Sequence, residues 1–384
     1  MSKMNSTTFC LAPWVSTCVT SSGKLAPCCD WSGTSDTDFR DFDSWINSDY
    51  LRDIRKRMYQ GEKIPECDVC WKDESVGKQS LRKIYNLEFA PFRNADLIDK
   101  NWQATGSVCA LDLKLGNLCN LKCVMCTPSS SSQLLTEYKA NATQFNSLTG
   151  YSVNFLNKDF SWPLTDDFKQ FLGKFRDQIK WIKFTGGEPT IIPHVLDVLD
   201  DIDCTNEVTV SFTTNATKLD QKFVDKIKKF GRVWLSVSLE GIEEHNNQIR
   251  FLSHWAEVEQ NILSVYNLPN VYFSVNHVLQ CFSVRTLIPL AQWCEKYQIP
   301  LRILKLSNPN YLSLDAVDAN VINKFADRLK ELNLTTNQNI VQQVLAYLQG
   351  HTYSENLEQQ RHEYLQLIDS IRSTNTDQIL KETK

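Results

Sequence analysis

The sequence is short of the features that mark several large classes of protein. No run approaches the ~18 uninterrupted apolar residues of a spanning helix, so a membrane span is not expected. The opening MSKMNSTTFCLAPW lacks a basic segment followed by an apolar stretch, which argues against a secretory signal. Positive charge is not in excess: 41 Lys and Arg against 45 Asp and Glu give a net charge of −4. That leaves no whole-chain electrostatic footprint for nucleic acid, and the basic run KIKKFGR (226–232) reads as a solvated helix end. The six histidines show no metal spacing, and His245, which adjoins a motif, reads as a surface residue. Internal repeats are absent.

Cysteine, by contrast, is abundant. Thirteen occur in 384 residues, a length that can bury a core without covalent or metal staples. An odd total in a chain without a signal sequence fits disulfide pairing poorly. The expectation is a cytoplasmic protein whose clustered cysteines bind metal or carry out redox chemistry.

Three regions follow from pattern. Residues 1–108 are rich in turn residues and hold one amphipathic helix near 43–60, with Leu51, Ile54 and Met58 at helical spacing. Residues 109–310 alternate strands (110–116, 179–186, 207–215, 232–241, 271–279, 301–307) with helical patterns (194–202, 219–230, 254–266, 286–297). Several strands run nearly continuously apolar, as buried parallel strands do. Residues 311–384 read as a helical extension with helices near 315–332, 337–349 and 354–373. Residues 143–168 form a polar and aromatic excursion, read as a lid or insertion. Six β/α units define an α/β protein, but a complete eight-stranded barrel takes about 250 residues. An open, partial (β/α)6 barrel or a doubly wound sheet fits better, and both bind ligands at the carboxyl ends of their strands.

The first of these strands runs into GNLCNLKCVMCTPSSSS, where Cys119, Cys123 and Cys126 have the spacing C-x3-C-x2-C. Three thiolates on one tight loop can hold three irons of a cubane and leave the fourth open. An open metal position is the mark of a catalytic site. A zinc knuckle or a trio of plain buried cysteines is the alternative.

With KFTGGEPTI after the second strand, the region resembles the radical S-adenosylmethionine (SAM) superfamily. The resemblance implies a 4Fe–4S cluster on Cys119, Cys123 and Cys126, with SAM at the open iron. It implies cleavage of SAM to a 5′-deoxyadenosyl radical that abstracts hydrogen from a peptide or small metabolite. A reductant protein such as flavodoxin or ferredoxin would supply the electron. By the same resemblance Gly186, Gly187, Glu188 and Pro189 would receive the methionine end of SAM. Thr213, Thr214 and Asn215 at the third strand end would bond its ribose or carboxylate. In SVSLEGIEEHNNQIR, Ser238 would bond the ribose region, Glu240 would face the site mouth, and Arg250 would pair with the SAM carboxylate. A surface salt bridge is the plain alternative for Arg250. Asn276 is a weaker candidate. Met125 stands where the family often has an aromatic residue over the adenine, and its polarizable sulfur can pack there.

The N-terminal region supplies a second set. Cys10, Gly23 and Cys28 have the spacing C-x12-G-x4-C, and Cys67 and Cys70 form a C-x2-C pair. This resembles the auxiliary-cluster modules called SPASM or twitch domains, and implies a 4Fe–4S cluster on Cys10, Cys28, Cys67 and Cys70. Structural zinc is the alternative, and Cys29 competes with Cys28 as a ligand. Cys18, Cys109, Cys204, Cys281 and Cys294 read as buried cysteines. Trp14, Trp31, Trp45 and Trp71 read as the core of this small module. No catalytic acid or base is evident. The competing functional class is a non-catalytic iron–sulfur or zinc protein.

Overall fold

The computed structural model describes residues 7–75, 77, 79–92, 101–106, 108–150, 158–202, 205–306 and 308–381. Cys204, Ser307 and residues 151–157 of the excursion lie outside these. Eight strands follow in chain order: β1 (Ser16–Val19), β2 (Leu25–Ala26), β3 (Ala110–Lys114), β4 (Trp181–Thr185), β5 (Thr209–Thr214), β6 (Arg232–Ser238), β7 (Val271–Leu279) and β8 (Leu301–Lys305). The α/β class and mostly parallel pairing expected from the sequence are what the chain has, with β3 to β8 in place of the six expected strands.

The chain divides into two compact units. The first comprises Met1–Asn117, Asp159–Phe212 and Lys226–Val233. Within it the strand order is β2-β1-β3-β4-β5. β1 joins β3 in parallel, and only the short β2 is antiparallel. The N-terminal region thus contributes two strands that periodicity had not shown, because STCV and LA are too short to display a pattern. Apolar residues on one face of the sheet form its core. Phe184 of β4 and Phe212 of β5 stack there at 5.2 Å between ring centroids.

The opposite face departs from expectation. Asp112, Lys183 and Ser211 stand at one register level across β3, β4 and β5. Near-continuous apolar strands were expected; alternation leaves one polar face instead.

The N-terminal helix also differs from its expected span. A short helix Phe42–Trp45 and a longer one, Asp49–Tyr59, replace a single helix over 43–60. The break comes at Ser48, whose hydroxyl accepts from Leu51 N as an N-cap. Leu51, Ile54 and Met58 are buried, as their spacing predicts. Trp14 and Trp45 are buried, while Trp31 and Trp71 are partly exposed.

The second unit comprises Leu118–Lys158, Thr213–Asp225 and Trp234–Lys384, with strand order β6-β7-β8. Helices Trp255–Val265 and Ser283–Lys296 match the expected patterns, the latter with Pro289 in its interior. The three C-terminal helices are Ala319–Lys330, Gln338–Gln349 and Glu355–Arg372. Among the described residues no helix is long and apolar enough to cross a membrane.

Candidate active site

The three central cysteines lie on the loop between β3 and the helix Ser132–Ala140. Cys119 and Cys123 are buried around Leu121, with Met125 and Cys126 packed against them. Burial, followed by the neighbouring Cys123 and Cys119, pushes the Cys126 thiol up to about 12. Burial also raises Cys123, against the pull of Arg250. Thiols in such surroundings ionise only when a metal takes the proton's place.

The loop is fastened on several sides. Ser131 Oγ donates to the Leu121 carbonyl at 2.7 Å and Ser132 Oγ to that of Cys119 at 3.2 Å. Lys122 N donates to the Phe251 carbonyl at 3.0 Å, and Val124 N to that of Ile249 at 2.9 Å. From the C-terminal helix, Tyr364 OH donates to the Val124 carbonyl at 2.9 Å. Beneath it Glu137 accepts from Lys122 at 3.1 Å and from Arg372 at 2.7 Å, and the Glu137 and Arg372 side chains are each 1% exposed. None of Tyr364, Glu137 or Arg372 carries a signal in the sequence, because the contacts of Tyr364 with Val124 and of Glu137 with Arg372 join residues more than 200 positions apart.

Arg250 follows helix Glu243–Ile249, between the two residues whose carbonyls hold the cysteine loop. Its charge couples to Cys123 most strongly, and then to Cys126 and Cys119. Nη1 donates to Glu240 Oε1 at 3.1 Å, and the Glu240 side chain is fully buried. The ion pair is therefore internal rather than a surface bridge. Arg250 Nε is buried with no hydrogen-bond partner among the described residues. A buried orphan donor beside three thiols is what an anionic group at this loop would complete.

Glu240 Oε2 accepts from Val278 N at 3.1 Å and from Gln280 Nε2 at 3.3 Å, and lies 3.5 Å from His277 Nδ1. Burial pushes Glu240 up to about 7 despite Arg250, and drops His277 to about 4.

The remaining candidates have defined surroundings. In the second unit, Asn215 Nδ2 donates to Asn120 Oδ1 at 3.1 Å, and Asn120 Nδ2 to Thr217 Oγ1 at 2.9 Å. This ties the end of β5 to the cysteine loop through Asn120 and Thr217, neither of which was a candidate. Thr214 Oγ1 accepts from Ala216 N at 3.0 Å. Ser238 closes β6 and is partly buried, as is Asn276 on β7. In the first unit, Glu188 caps the short turn Pro189–Ile191, its Oε1 accepting from Thr190 N and Oγ1 at 3.1 and 2.7 Å. Gly186 adopts φ +106°, and a Cβ there would lie 3.1 Å from Lys114 Cα and Cβ. Glycine is needed for that close approach of β4 to β3.

The N-terminal cysteines also converge. Cys10, Cys28, Cys67 and Cys70 line one small cavity in the first unit with Asp30, Trp31, Glu66, Arg82 and Tyr85. Ala12 N and Arg82 N face the thiols of Cys10 and Cys70. Burial pushes Cys10 to about 12 and Cys70 to about 11, and raises Cys28. A set of four thiols brought from three separate chain segments suits a fully ligated cluster. Cys29 does not line this cavity; Lys183 Nζ donates to its sulfur at 2.9 Å. Among the described residues, no three His, Cys, Asp or Glu side chains stand at single-ion spacing.

Residues 113–279 match the family model of the Radical SAM superfamily, which supports placing this region there. An uncharacterized protein of Methanocaldococcus jannaschii is 28% identical over 137 residues, 35% of this chain and 39% of that one. Among solved structures, native anSMEcpe with bound AdoMet is similar at 18% identity and TM-score 0.39, over 64% of this chain and 62% of that one. Streptococcus suis SuiB is similar at 13% identity and TM-score 0.39, over 83% of this chain and 69% of that one. The chain thus spans less than two thirds of the curated relative and of anSMEcpe.

Proposed function

We propose that the chain is a radical SAM enzyme, with Cys119, Cys123 and Cys126 as the ligands of its SAM-binding cluster. The observation that carries this is the buried three-thiol loop beside the unsatisfied Arg250 Nε, inside the matched family region. Held by Cys119, Cys123 and Cys126, a 4Fe–4S cluster would supply the electron for reductive cleavage of SAM, chemistry that would lead to hydrogen abstraction from a peptide or small metabolite. Arg250 offers its free N–H to the anionic side of this assembly, and Glu240 fixes the guanidinium so that the donor is already aimed. The anchored loop carbonyls fix the segment that carries the thiols. Glu188, Gly186, Gly187, Pro189, Thr214, Asn215, Ser238 and Met125 surround SAM in this reading.

Cys10, Cys28, Cys67 and Cys70 form an auxiliary SPASM/twitch-like site, with Cys28 rather than Cys29 as the ligand because only Cys28 lines the cavity. Full ligation by four thiolates suits electron transfer or a structural role rather than direct binding of substrate. Flavodoxin or ferredoxin is the expected reductant, in the cytoplasm.

Anaerobic reconstitution with iron and sulfide, then dithionite and SAM, tests the reading. 5′-Deoxyadenosine should accumulate. A protein that binds iron or zinc yet releases none is an electron carrier or structural module, and the proposal is then wrong.

A further inference from the structure

In the first unit Asp112 and Lys114 of β3 share a sheet face with Lys183 and Thr185 of β4. Contacts bear out the alternation: Lys183 Nζ lies 3.2 Å from Asp112 Oδ2, and Thr185 Oγ1 donates to Asp112 Oδ1 at 3.3 Å. Polar side chains on a face this close to the buried Asp112 are favoured by partners. Lys183 has them, in Asp112 and in the Cys29 sulfur at 2.9 Å. Lys114 has none: among the described residues its ammonium makes no hydrogen bond and no ion pair, although the residue is partly buried. Burial disfavours charge on Lys114, but Cys18, Asp112 and Cys29 outweigh it, and its pKa is raised above the ordinary lysine value. Among the described residues this cation has no acceptor.

Its position gives that cation a use. Lys114 is the last residue of β3, at the carboxyl end of a parallel strand, where β/α proteins bind their ligands. Its backbone is pressed against Gly186, the first residue of the Gly-Gly-Glu-Pro turn, and Cys119 follows five positions later in sequence. We infer that Lys114 is a specificity-determining residue that anchors a carboxylate of the substrate. The inference rests on the radical SAM reading and narrows its substrate class. One free ammonium with the Asp112 carboxylate nearby favours a singly charged carboxylate over a phosphate, whose second charge Asp112 would repel. That carboxylate belongs either to an acidic peptide or to a small organic acid.

The test is calorimetric titration of the full-length, reconstituted protein with SAM, under anaerobic conditions. The probes are butyrate and its neutral counterpart butyramide, and a Glu-containing capped tripeptide with its Gln counterpart. At least one acid should bind roughly tenfold or more tightly than its amide, the scale of a charge-assisted hydrogen bond. Preference for butyrate assigns a small acid, and preference for the Glu peptide assigns a peptide. Lys114→Met should abolish the preference and Lys114→Arg should retain part of it; Lys114→Gln serves if the Met variant does not fold. Equal binding of acids and amides by the wild type, or an undiminished preference in the neutral variants, overturns the inference. Failure of the underlying reading shows separately, as absence of 5′-deoxyadenosine from the wild-type protein however the titration falls.

Discussion

The two cysteine sites are built in opposite ways. The central three thiols come from eight consecutive residues, Cys119 to Cys126, so local chain geometry brings them together. The N-terminal four come from segments near residues 10, 28 and 67–70, and meet only because the segment before the short helix Ala12–Val15, the loop after β2, and the turn Pro65–Cys67 with the helix Asp68–Ser75 fold into one unit. What differs is where the supporting energy lies. The central loop needs outside fastening to hold its depth, and receives it from Phe251, Ile249, Tyr364 and the Glu137 pairs. The N-terminal site is a crossing point of three segments, linked by Arg82 and Asn86, which both donate to the Phe9 carbonyl, and by Ser32, which donates to that of Glu66.

That contrast can be broken by experiment. The largest effect is expected from replacing Cys119, Cys123 and Cys126 together with alanine. 5′-Deoxyadenosine formation should vanish, while iron analysis should still find about four irons per chain at the N-terminal site. Retained zinc with no iron would remove the auxiliary cluster from the picture. Next, Cys28→Ser should lose those N-terminal irons, whereas Cys29→Ser should keep them, since Cys29 faces Lys183. The opposite result would exchange the two ligands.

A smaller but measurable effect concerns the fastening. Glu137→Ala leaves Arg372 buried and unpaired, which should cost about 3–5 kcal/mol in urea denaturation. Iron at the central loop should be lost before iron at the N-terminal site. Equal loss from both would mean that the loop does not depend on the C-terminal helix.

The smallest expected effect distinguishes the second unit by pH. His277 is held neutral, with its pKa lowered from 6.5 to about 4, and burial is the main cause. A lowered folded-state value contributes stability that is present above about 6.5 and lost as pH falls through about 4. The shift corresponds to about 3 kcal/mol across that window. His277→Gln should flatten this part of the stability–pH curve relative to wild type. Glu240, raised to about 7, contributes in the opposite sense, losing stability as pH rises, but does so in both proteins. A variant with the wild-type slope would show that His277 is not the group responsible.

Some of the architecture was legible before folding. Strands β3 to β8 and the three C-terminal helices lie close to their expected spans, because long segments with strong periodicity carry their own signal. β1 and β2 were not legible, being too short for a period to show. The polar face of the sheet was hidden because several strands read as nearly continuously apolar. Arg250 was marked by its motif, but its buried pairing with Glu240 and its unsatisfied Nε were not. Tyr364, Glu137 and Arg372 had no local mark.

What the sequence determined by itself was therefore the chemistry with short-range geometry: three thiols on one turn, the Gly-Gly-Glu-Pro segment, and a β/α alternation to carry them. Spacing along a chain constrains distance only over a few residues. Which of two adjacent cysteines joins the distant three, which lysine of the polar face has no partner among the described residues, and what holds the central loop were decided by the tertiary structure, because those contacts are made by residues that only packing brings together.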